Sequence, residues 1–131
     1  MISSFVSRAS ASYLGVLGLV MLFGADTILP LVIPSFPLSA VWLGQLIAGA
    51  WLALAAMNWQ ARNAILGGIY GRPVVYSNVL LFVVTALGVL KPALAAGASP
   101  LLWLIVGPAM IFALVYGALL LRGPFDALKQ G

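Results

Sequence analysis

The 131-residue sequence contains no cysteine, no histidine and no glutamate. Without cysteine there is no disulfide exchange, no thiol nucleophile and no iron–sulfur ligation. Without histidine the usual zinc and haem ligand and the commonest general base are missing. Asp26 and Asp126 are the only carboxylates left to supply acid–base chemistry. These absences argue against an enzyme, and neither catalytic residue, metal ligand nor cofactor is assigned from the residues that remain.

Charge is also scarce, at 6% of residues against 64% hydrophobic, where an ordinary soluble domain has about 25% charged residues. So few charged side chains cannot cover the surface of a water-soluble globule, and lipid must be the solvent for most of the chain. Arg8, Arg62, Arg72, Lys91, Arg122 and Lys129 against the two aspartates leave a formal charge of +4. They form no basic run that could follow a nucleic-acid backbone, so no nucleic acid is expected as a partner.

Crossing the hydrocarbon takes about 20 apolar residues in a helix. Four stretches qualify, at about 9–29, 38–57, 74–94 and 100–121, within one transmembrane domain that covers 1–131. Pro30, Pro34 and Pro37 follow the first, and a proline removes an amide donor and crowds the preceding turn, so the first helix is expected to end near Pro30. The apolar link 31–36 belongs at the interface or against the protein rather than in open water. Gly67, Gly68 and Gly71 break the chain between the middle spans, and Pro73 suits the first turn of the next helix. Pro92, Gly97 and Pro100 separate the last two. Arg8 with the apolar 13–23 has the outline of a signal peptide, but Phe23 stands two before Ala25 where a small residue is wanted, so the segment is expected to remain as a span.

Four spans put both termini on one side. With that side cytoplasmic, Arg8, Arg62, Arg72, Arg122 and Lys129 lie inside and only Lys91 outside, so the positive-inside rule selects N-in, C-in. The expected fold is an all-α, four-helix transmembrane bundle, in a bacterial inner (cytoplasmic) membrane. Trp42 and Trp103 fall at the outer interface and Trp59 at the inner one, whereas Trp51 is mid-span and fits neither belt. Ala11-x3-Gly15, Gly44-x3-Ala48 and Gly49-x3-Ala53 have the small-residue spacing of close helix contacts, which pairs the first span with the second. Pro108 is expected to kink the fourth span and to free the carbonyl one turn back.

Two polar groups stand out. The stretch 58–78 holds Asn58, Arg62, Asn63, Arg72, Tyr76 and Asn78, which form a candidate cytoplasmic-side site for a lipid head group or another anion, since guanidinium forks match phosphate. Topology alone accounts for both arginines, with Asn58 and Asn78 then capping helix ends. Near the other surface, Asp26, Gln45 and Lys91 are expected to make a polar contact or ion pair. Two functional readings follow. One is a non-catalytic subunit or scaffold that packs against a protein partner or further copies of itself in the membrane. The other is lipid binding, lipid modification or small-molecule transport through the Arg/Asn cluster, with anionic membrane lipid as partner. In dimensions the sequence resembles the small multidrug-resistance transporters and the eicosanoid and glutathione membrane enzymes, but both families rely on a glutamate that is absent here.

Overall fold

The computed structural model describes residues 2–66 and 68–123, so Asp126 and Lys129 lie outside the described residues. Among the described residues the chain forms four α-helices: α1 (Ile2–Val32), α2 (Val41–Gln60), α3 (Arg72–Leu94) and α4 (Trp103–Arg122). Each has an apolar segment long enough to cross a membrane. Short 3₁₀ turns at Leu38–Ala40, Ala61–Asn63 and Pro100–Leu102 flank α2 and lead into α4. The outside is as apolar as the inside: Leu80, Leu87, Leu114 and Leu121 all face outward. Such a surface suits hydrocarbon, in which burying leucine against leucine gains little and close packing and hydrogen bonds hold helices together.

The first helix does not stop at Pro30. It starts at Ile2, ahead of the expected boundary, and continues to Val32, with a kink at Gly24 where φ is −121° and ψ 15°. Gly24 has no Cβ to resist these non-helical angles. Pro92 does not end the third helix either, since α3 runs through it to Leu94, and the break before α4 falls between Ala95 and Ser99. Pro73 sits in the first turn of α3, and Gly123, at a φ of 76°, closes α4. Phe36 in the apolar link turns back against the core.

Packing divides the bundle into two antiparallel hairpins, α1 with α2 and α3 with α4. In the first, glycines bring the backbones together. A Cβ built on Gly44 would lie 2.9 Å from Leu29 Cδ1, 3.0 Å from Ala25 Cβ and 3.1 Å from Met21 Sδ, and one on Gly18 would lie 3.3 Å from the Ala48 carbonyl oxygen. The expected contact between the small residues of the first two spans is therefore present for Gly15, Gly44 and Ala48, and Gly18, which the sequence reading did not single out, joins them. Gly49 faces away, with open space around it.

Large side chains fill the space between the hairpins. Phe82 stacks on Phe112 at 4.9 Å and on Tyr116 at 6.0 Å, and Tyr13 from α1 meets Phe112 at 5.7 Å. Trp51 is buried in the same core, which explains why it matches no interfacial belt. The Tyr13 hydroxyl also donates to the Leu104 and Ile105 carbonyl oxygens at 3.0 and 3.1 Å. Leu104 is four residues before Pro108, so its carbonyl is the one that the proline leaves without a helical donor. A phenol of α1 thus supplies the hydrogen bond that α4 cannot make for itself. Tyr13→Phe should cost about 1 kcal/mol, the usual net worth of one such bond, measured by equilibrium unfolding in mixed micelles; an unchanged free energy would mean that the carbonyl finds another donor.

Candidate functional site

Ser10 on α1, Asn58 on α2, Asn78 on α3 and Tyr116 on α4 meet in the interior within about two helical turns of the helix ends that carry both termini. All four side chains are fully buried. The two amides face each other and exchange hydrogen bonds: Asn58 Nδ2 donates to Asn78 Oδ1 at 2.8 Å, and Asn78 Nδ2 donates to Asn58 Oδ1 at 2.6 Å. The second N–H of Asn58 goes to Ser10 Oγ at 3.0 Å and that of Asn78 to the Val74 carbonyl at 2.8 Å. Every amide hydrogen in the pair is therefore committed.

Counting protons assigns the remaining donor. Ser10 Oγ donates to the Ser7 carbonyl at 3.2 Å and lies 2.8 Å from the Tyr116 hydroxyl. A serine has one proton and two lone pairs. With its proton on Ser7 and one lone pair on Asn58, Ser10 accepts from Tyr116, so the phenol is the donor. The result is a polar clamp that crosses all four helices and contains no nucleophile paired with a base. Beside it, the Ser7 hydroxyl is buried without a side-chain hydrogen bond among the described residues.

This geometry divides the six residues of the candidate cytoplasmic-side site. Asn58 and Asn78 are turned inward onto each other and do not cap helix ends. Asn63, Arg72 and Tyr76 are exposed. Arg62 does not share a helical face with Asn58, because α2 ends at Gln60 and the chain tightens into the 3₁₀ turn Ala61–Asn63. Its guanidinium lies over the Trp59 ring, 5.0 Å from the centroid, and Nη1 donates to the Trp59 carbonyl at 2.6 Å. At the opposite end, Asp26 is exposed and accepts from Thr27 Oγ1 at 3.4 Å. Gln45 points outward from α2, and Lys91 borders a shallow apolar groove with Leu87, Leu90, Leu94 and Ala95. No ion pair joins Asp26 to Lys91 among the described residues, and both side chains are exposed.

Sequence reasoning missed Ser10, Tyr116 and Tyr13. The readable trace was Ser3, Ser7 and Ser10, which recur on one helical face and are all buried. Among the described residues no cluster of acidic side chains could hold a metal ion. Fold and site together describe a four-helix, integral-membrane type of protein with a hydrogen-bonded interior. No model of a known family, no curated protein and no solved structure matches this chain.

Proposed function

We propose that the protein is a non-catalytic membrane scaffold or subunit that packs against further copies of itself or a membrane partner, with both termini cytoplasmic in a bacterial inner membrane. The observation that carries this reading is the outward face of α2. Trp42, Leu46, Gly49, Ala53 and Ala56 follow one another at spacings of four and three residues along that face, and all are exposed. Small residues in mid-span are where lipid-embedded helices approach each other. Those of the opposite face of α2 are used up by α1, whereas Gly49 has open space around it and Ala53 is exposed. The polar interior supports the same reading, since its amides serve to join helices. The arginine excess on the side of the termini supports the orientation.

Because the chain has no native cysteine, the test is direct. An Ala53→Cys variant, oxidised in native membranes, is expected to give a crosslinked dimer or a crosslink to a stoichiometric partner, and Gly49→Leu in that background should abolish it. A monomer that never crosslinks and flies alone in native mass spectrometry would overturn the reading.

A further inference from the structure

The loop after α2 is more tightly built than orientation requires. Leu66 is fully buried and anchors it. Gly68 and Arg72 close it, with Gly68 N donating to the Ile65 carbonyl at 3.2 Å and Arg72 N to the Gly68 carbonyl at 3.0 Å. A Cβ at Gly71 would run into the Ile65 carbonyl oxygen and the Leu66 Cα, so the chain doubles back here at backbone distance. This fold presents Ile69 and Tyr70 almost wholly to the outside, 83% and 93% exposed. Arg62 and Arg72 flank them.

Charge says what covers this surface. Arg8, Arg62, Arg72 and Arg122 all belong to this end of the bundle, and Asp26, the one acid among the described residues, lies at the other. Arg62 is also held in place: of its five N–H groups one goes to the Trp59 carbonyl, and the indole supports the guanidinium plane. The remaining N–H groups form a fork ready for phosphate oxygens, with less side-chain freedom to lose than a free arginine. Trp59 and Tyr76, both half-exposed, mark the head-group level.

We propose that this end of the protein binds an anionic phospholipid, with the lipid phosphate on Arg62 against Trp59, Arg72 adding charge, and Ile69 and Tyr70 seated among the neighbouring head groups. The inference is independent of the oligomeric reading above.

Trp59 reports on its own ligand. In a Trp42→Phe/Trp103→Phe background, buried Trp51 contributes a constant signal and Trp59 senses lipids. The protein is reconstituted into phosphatidylcholine vesicles that contain either phosphatidylglycerol or phosphatidylcholine brominated high on its chains. Phosphatidylglycerol should associate about fivefold more strongly, as expected for one arginine at an anionic surface. Arg62→Gln should remove the preference, Arg72→Gln should reduce it, and Lys91→Gln at the far end should leave it unchanged. Equal quenching by both lipids overturns the proposal, as does a preference that survives in a helical Arg62→Gln/Arg72→Gln protein. Excess inorganic phosphate that abolishes the preference would transfer the site to a soluble anion and overturn the lipid assignment.

Discussion

Asn58→Leu is expected to destabilise the bundle by about 2 kcal/mol. The change removes two donors at once: Asn78 Oδ1 loses its 2.8 Å bond and Ser10 Oγ its 3.0 Å bond, and one Asn78 N–H is left facing a methyl group. An unpaired buried polar group costs about 1–3 kcal/mol. Interhelical hydrogen bonds in membranes average nearer about 0.6 kcal/mol because the separated helices also find partners, which keeps the sum near the lower range. Asn78→Leu should cost a similar amount, and the Asn58→Leu/Asn78→Leu pair less than the two singles added, since neither amide is then stranded. Unfolding of the four proteins in mixed micelles closes the cycle. Additive losses would show that the amides do not act as a pair.

Gly44→Leu should have a large effect on the α1–α2 contact. Even its first carbon would lie within 3.1 Å of Met21, Ala25 and Leu29, and the Ala25 methyl cannot rotate away. The hairpin has to part, at a cost of about 3 kcal/mol, the upper end for overpacking. Gly49→Leu makes the same chemical change on the opposite face, where nothing lies within 4 Å. It should leave the unfolding free energy of the monomer within about 0.5 kcal/mol. Equal losses from both would contradict the close approach of α1 to α2.

Much of the architecture was legible because lipid imposes strong rules. The four spans, the break before Pro73 and the pairing of α1 with α2 through small residues follow from the residues themselves, whereas Pro30 and Pro92 lie inside helices that the sequence alone would have ended there. The inward direction of the polar residues was not legible. In a helix of a soluble protein, the contrast between polar and apolar faces shows which side is buried. These helices are apolar on every side, so the face that carries Asn58 or Asn78 could not be told from one that meets head groups. Pro108 announced an orphan carbonyl, but nothing in one dimension pointed to Tyr13, some ninety residues earlier, as its donor. Trp51 did leave a sign, in that a tryptophan at mid-span suits neither membrane surface and therefore belongs in a core.

The bonds from Ser10 to Tyr116 and from Tyr13 to the Leu104 carbonyl have a consequence for biogenesis. Both connect the first of the four described spans to the fourth, which is synthesised after it. Until α4 has entered the bilayer, Ser10 lacks its phenol donor, and until α1 is beside it, α4 carries a bare carbonyl at its proline. The α1–α2 hairpin has its glycine contacts as soon as it is inserted and can wait as a unit. Its polar end is completed by the hairpin that follows, so the second half of the chain docks on the first through hydrogen bonds that the first half alone leaves unmade.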